Sequence, residues 1–200
     1  MTPGRVDIRP WSADDLPVLE QNNTPEMTVH LGGPESREKL LDRHERYQRG
    51  WREGTARMFT AWVDEEAVGL VGYWNVAHQG RDVYECAYGI FPSYQGRGLA
   101  VAAMTACLEH AAQCGSRDDM YAYPNVTNGP SNALCRRMGF ELEGEQDFEY
   151  PKGHPIRANV WRYPLARSVA LSAGVTSQGR TDRAPAVARV HAGSVSSSQS

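Results

Sequence analysis

The apolar positions of this chain change period repeatedly, and each change marks an element. Residues 6–10 read as a short first strand. Ser12-Ala13-Asp14-Asp15 has the composition of a helix cap and acidic first turn, opening a helix to about Asn22. Residues 35–53 form a charged amphipathic helix whose apolar side is approximated by Leu40, Leu41, His44, Tyr47 and Trp51. Three strands follow at Ala56–Val63, 67–75 and 83–91, the first two joined by the polar turn Asp64-Glu65-Glu66. Leu99–Cys114 has helical composition throughout and stops at Gly115. A short strand at 120–123 comes next, then a helix at 130–138 with Pro130 in its first turn and Gly139 at its end. Closing strands at 140–148 and 157–163 complete the order β-α-α-β-β-β-α-β-α-β-β.

Composition narrows the class. Two hundred residues with 40% hydrophobic content can bury one good core. Nothing resembles a transmembrane run or a signal peptide, so a cytoplasmic domain with no membrane partner is expected. Cys86, Cys107, Cys114 and Cys135 are not at metal-ligand spacing and read as reduced thiols, with no metal expected. After Pro164 the chain loses its aromatic residues and becomes rich in Ser, Ala, Val, Gly and Arg, so residues 1–165 read as the domain and 166–200 as a disordered tail. The tail holds four Arg against one Asp, which leaves the body of this −3 chain at −6. An acidic body argues against a nucleic-acid partner and favours a cationic one.

The richest local pattern lies between the third of the central strands and the alanine-rich helix: Pro92-Ser93-Tyr94-Gln95-Gly96-Arg97-Gly98-Leu99-Ala100. Glycines let a backbone approach a ligand closely, and a helix start presents unpaired N–H groups and a positive dipole end. The chain has no Gly-x-x-x-x-Gly-Lys-Ser/Thr, and the third glycine of Gly-x-Gly-x-x-Gly is missing, which removes P-loop and Rossmann readings. What remains is Gln95-x-x-Gly98-x-Ala100. It resembles the Gln/Arg-x-x-Gly-x-Gly/Ala motif of the GNAT superfamily of acyl-CoA N-acyltransferases. A second segment, Asn128 to Phe140 with Ser131, Leu134, Cys135 and Gly139 between, is similar in order and spacing to that superfamily's later Asn-x-x-Ala/Ser-x-x-Leu-Tyr-x-Lys-x-Gly-Phe pattern. The similarity covers about residues 6–164.

The resemblance implies the GNAT fold, an α/β (α+β) arrangement. It has a mixed, mostly antiparallel sheet of six to seven strands flanked by about four helices and splayed at the acyl-CoA site. It implies acetyl-CoA as donor, with pyrophosphate contacts at Gln95, Gly96, Arg97, Gly98, Leu99 and Ala100, and an oxyanion-binding amide at Ile90 or Phe91 beside a strand bulge. It places Asn128 and Asn132 on the pantetheine or adenosine side, and Asn128 reads equally as a helix N-cap. Acetyl transfer to an amine needs a base for the ammonium and stabilisation of the oxyanion. Glu85 is the candidate base, because on a strand it shares a face with Ala87 and Gly89, whose small size leaves space for an acceptor. Cys135 stands where many relatives carry a tyrosine that protonates the leaving thiolate. It reads either as that acid or as a buried small residue, with water, Tyr88 or no acid as alternatives.

For the acceptor, the loop that contains Glu26 and His30 lines the cleft in relatives, and it resembles the branch with ribosomal-protein N-acetyltransferases and antibiotic-modifying enzymes. Trp74 and His78 form a second candidate wall. The expected substrate is a primary amine of a small cationic molecule, such as an aminoglycoside-like antibiotic or a polyamine. A protein N-terminus and a catalytically silent CoA-binding module are the alternatives, and a homodimer stays open as the assembly.

Overall fold

A computed structural model of the protein describes residues 6–149, 153 and 155–165; the tail at 166–200 lies outside the described residues. The strands are β1 (Asp7–Pro10), β2 (Ala56–Val63), β3 (Glu66–His78), β4 (Arg81–Ile90), β5 (Asp119–Ala122), β6 (Glu141–Glu149) and β7 (Pro155–Pro164). The helices are α1 (Leu16–Asn22), α2 (Arg37–Glu53), α3 (Leu99–Cys114) and α4 (Gly129–Arg137). The strands form one seven-stranded sheet in the order β1-β2-β3-β4-β5-β7-β6, antiparallel throughout except for the parallel pair β4–β5. The element order, the mixed sheet and the four helices agree with the GNAT arrangement expected from the sequence.

Local chemistry explains the element ends. Ser12 caps the turn before α1 with Asp15 in a reciprocal capping box, and Ser36 caps α2 through the Lys39 amide. Gly54, at φ 75°, ends α2 in the left-handed region that glycine tolerates. In α2 the buried side is Leu40, His44 and Tyr47, whereas Leu41 is 42% exposed, because it lies about 100° around the helix from Leu40. The β3–β4 hairpin is longer than the sequence reading at both strands. Gln79 and Gly80, both at positive φ, make a tight two-residue turn, so pairing continues to His78↔Arg81.

The sheet carries a core on each face. Leu99, Ala103, Met104, Cys107, Leu108 and Ala111 of α3 and Cys135 of α4 pack with Phe59, Tyr73, Tyr84, Cys86 and Ile90. Trp11, Val18 and Leu19 meet Leu40 and Tyr47 of α2 over Met58 and Leu70 on the other face. No helix of the described residues is long and apolar enough to cross a membrane.

The Asn132 side chain ties helix α4 to the sheet. Asn132 is 7% exposed; its amide oxygen accepts from Asn159 at 2.7 Å and from the Trp161 indole at 2.9 Å. Its amide nitrogen donates to the carbonyls of Asn125 at 3.0 Å and Asn128 at 2.8 Å. Replacing Asn132 with Leu strands the buried Trp161 indole donor and the half-buried Asn159 amide, and takes one of two partners from each of the Asn125 and Asn128 carbonyls. The expected loss is about 2–4 kcal/mol, seen in thermal unfolding as a fall in Tm of roughly 5–15 °C.

Candidate active site

The parallel ladder between β4 and β5 consists of two residue pairs, Tyr84↔Met120 and Glu85↔Tyr121. Beyond them the chain after β5 keeps its bonds to β7: Asn125 bridges Ala158, the Asn159 amide donates to Pro124, and the Val126 amide donates to Arg157. It therefore follows β7 and parts from β4, opening a gap along residues 86–90 of β4. The β3–β4 register is unbroken there, and the irregularities of the sheet fall at Ala61/Trp62 and Leu142/Gly144 instead. Divergence of two strands opens the sheet, in place of the bulge expected near Ile90.

Antiparallel alternation decides which amide faces this gap. The Phe91 N–H donates to the Val68 carbonyl at 2.9 Å and the Phe91 side chain is buried, so Phe91 is removed as an oxyanion donor. Ile90 is out of phase with that bond and turns its N–H towards the gap. Its carbonyl accepts from the Gln95 amide at 2.8 Å.

The glycine turn follows directly. Pro92–Tyr94 forms a short 3-10 turn, Gly96 and Gly98 adopt φ 74° and 79°, and Gly98 starts α3 with no side-chain cap. Helical bonding begins with the Ala102 amide on the Gly98 carbonyl at 3.2 Å, so the amides of Leu99, Ala100 and Val101 have no acceptor within the helix. Leu99 sends its side chain into the core, and only its backbone can serve a ligand. Arg97 donates to the Ser93 carbonyl at 2.9 Å, with its guanidinium 5.3 Å from the Tyr94 ring centre. The Gln95 amide is engaged by Ile90 and lies 3.7 Å from the Met27 sulfur. Gln95 therefore braces the strand end.

On the face opposite α3, Glu85 stands beside Trp74 of β3 and Tyr121 of β5. Burial pushes its carboxyl up to about 7, against a downward contribution from its hydrogen bond with Trp74. The space expected over Gly89 is taken: a Cβ there would strike the Asn22 amide oxygen and stand 3.3 Å from the Met27 methyl. Room beside Glu85 is thus restricted to the Ala87 side. His78 is buried, stacked on Tyr121 at 4.3 Å between centroids and 2.9 Å from the Tyr123 hydroxyl, so it belongs to a packed aromatic cluster and forms no open wall. Glu26 is exposed, while His30 reaches across to the Thr127 hydroxyl at 3.2 Å.

On the α4 side, Asn128 caps the helix by accepting from the Ser131 amide at 3.1 Å. Asn132 is wholly engaged within the protein, which withdraws it as a CoA ligand. Cys135 is 2% exposed, and burial pushes its thiol up to about 11. Met27 and Tyr123 carry no local signal in the sequence, because only the folded chain brings them to Gly89 and Glu85.

The model of the GNAT acetyltransferase domain matches residues 5–141 of this chain. The chain belongs to the GNAT acetyltransferase family. Within the family it is 26% identical over 145 residues to spermidine N(1)-acetyltransferase of Escherichia coli K12, covering 72% of this chain and 77% of that protein. It is 31% identical over 93 residues to ribosomal-protein-serine acetyltransferase of the same organism, 46% of this chain and 51% of that one. Its fold matches spermidine N-acetyltransferase from Vibrio cholerae, solved in complex with CoA and spermine, with a TM-score of 0.69 at 20% identity over 82% of this chain and 98% of that one. The chain is therefore an N-acetyltransferase by family, and its relatives act on both polyamines and ribosomal protein.

Gly98 tests the cradle. A valine there must hold φ near 79° or reshape the turn, so Gly98→Val should raise the Kd for acetyl-CoA at least roughly tenfold. Calorimetric titration of the folded variant measures this.

Proposed function

We propose that this protein uses acetyl-CoA to acetylate a primary amine of a small cationic molecule, of the polyamine or aminoglycoside kind. Glu85 serves as base, the Ile90 amide as oxyanion donor, and the turn at residues 95–100 as the pyrophosphate grip. The observation that carries the reading is Glu85 itself. Its buried carboxyl, held near neutrality, stands on the same strand as a gap-facing amide and at the edge of the sheet opening. A carboxyl with that affinity can take a proton from an ammonium and release it to solvent at physiological pH.

Two features support a small acceptor. The His30–Thr127 contact draws the α1–α2 loop against the loop before α4, narrowing the cleft that an extended peptide backbone would need. The rings of Trp74 and Tyr123 near Glu85 suit an alkylammonium, and the negative body of the chain attracts cations. The similarity to spermidine N(1)-acetyltransferase points the same way.

Thiol release from acetyl-CoA, measured against spermidine, kanamycin and a serine-initiated ribosomal-protein peptide, tests the acceptor class. The expected kcat/KM for spermidine or kanamycin exceeds that for the peptide at least tenfold; the reverse order overturns the proposal in favour of protein acetylation.

The base has its own signature. For wild type, kcat/KM should rise as pH passes upward through about 7, where Glu85 loses its proton. Glu85→Gln should lose this limb and about 10²-fold or more in kcat/KM. Because the folded-state pKa lies above that of an unfolded glutamate, the native state favours the protonated form. That stabilisation is full at low pH and is lost as pH rises through 7. Glu85→Gln should therefore raise Tm at pH 8 relative to wild type and change it little at pH 4, which differential scanning calorimetry reads directly.

A further inference from the structure

The opening of the sheet places the two faces of β4 on opposite sides of any acyl group held by the Ile90 amide. Successive side chains of a strand point to opposite faces, so Glu85 and Ala87 lie on the α1–α2 face, while Cys86, Tyr88 and Ile90 lie on the α3–α4 face. The anion cradle at the start of α3 belongs to the second face. A thioester whose carrier comes from that cradle turns its sulfur towards α3 and α4 and its carbonyl carbon towards Glu85. The nucleophile then arrives from the Glu85 side, and the thiolate leaves on the other.

The proton donors on that leaving side are few among the described residues. Cys86 is buried and its thiol is pushed well above the usual range by burial and by Cys107 and Cys135. Cys135 is 2% exposed. Tyr88 is half-buried, stands beyond the last β4–β5 pair, and crosses the opening so that its hydroxyl lies 3.2 Å from the Ser131 carbonyl and 4.0 Å from the Cys135 sulfur. Its Cα is two residues, about 7 Å, from that of Ile90 along the strand.

We propose that Tyr88 is the catalytic acid that protonates the departing CoA sulfur, and that Cys135 is the small residue whose size admits the phenol. The assignment rests on the donor-site reading above. As the carbonyl carbon–sulfur bond breaks, its electron pair goes to sulfur and the Tyr88 hydroxyl proton follows, giving CoA-SH. The amine, already relieved of one proton by Glu85, loses its second to water on its own face, and the Tyr88 phenolate recovers a proton from solvent. Glu85 discharges its proton to solvent, so that one ammonium and one thioester become one amide, one thiol and one free proton. Burial holds the Tyr88 hydroxyl above the ordinary tyrosine range, and the groups acting on it are Cys135, Ser131 and Cys86, none of them charged. The phenol thus keeps its proton across the working pH range until negative charge grows on sulfur.

The assignment is testable with CoA alone. A phenol donating to sulfur favours the thiolate of bound CoA. The thiolate absorbance of the CoA complex is titrated with pH against the complex with desulfo-CoA, for wild type, Tyr88→Phe and Cys135→Ala. The bound thiol of wild type should titrate about one pH unit below free CoA, a roughly tenfold change in its ionisation constant. Tyr88→Phe should bind CoA and lose most of that shift, and Cys135→Ala should retain it. An unshifted thiol in wild type, an unchanged shift in Tyr88→Phe, or a shift abolished by Cys135→Ala overturns the role of Tyr88. Failure of wild type to bind CoA at all would instead overturn the donor-site reading and the assignment with it.

Discussion

The structure depends on a mismatch between the two ladders of β5. This short strand pairs with β4 over two residues, while on its other side it pairs with β7 over four and the chain beyond it continues along β7. Backbone groups in a sheet seek partners, and here those past Ala122 find them on one side. The consequence is a gap bounded by an unpaired edge of β4, with an amide directed into it and side chains of opposite chemistry on the two faces. A longer β4–β5 ladder would close the sheet and leave Glu85 as an isolated buried carboxyl.

Holding such an opening requires stiff flanks. On one side the Asn132 amide bonds to β7, to the chain after β5 and to the start of α4, so that helix and diverging strand are linked through one side chain. On the other side Gln95 ties the glycine turn to the last residue of β4, and Asn22 and Met27 press on Gly89. The α1–α2 loop touches both flanks, through Met27 at Gln95 and His30 at Thr127. The glycine turn and the loop before α4 are thereby joined by packing over a few side chains.

Much of this was legible in the chain. The helices and strands followed from period and from end signals such as Ser12, Gly115 and Gly139, because those signals act locally. Gly96 and Gly98 marked the turn before α3 for the same reason: their positive φ is a property of the turn itself. Asn128 was readable as a cap, and it is one. The hairpin at Gln79-Gly80 was harder, since glutamine at positive φ is uncommon and nothing local announces it.

The order of elements, the glycine turn before α3, the Glu85 strand position and membership of the acetyltransferase family were all determined by the sequence alone, because each rests on short-range pattern. Tertiary structure alone decided between Ile90 and Phe91, since only pairing with Val68 shows which amide is engaged. It turned Asn132 from an expected ligand into a structural tie through partners 27 and 29 residues away. It also filled the space over Gly89 with Asn22 and set Tyr88 against Cys135 across a sequence separation of 47. Such contacts follow from how strands and helices stack in three dimensions, and the spacing of residues along the chain carries no record of them.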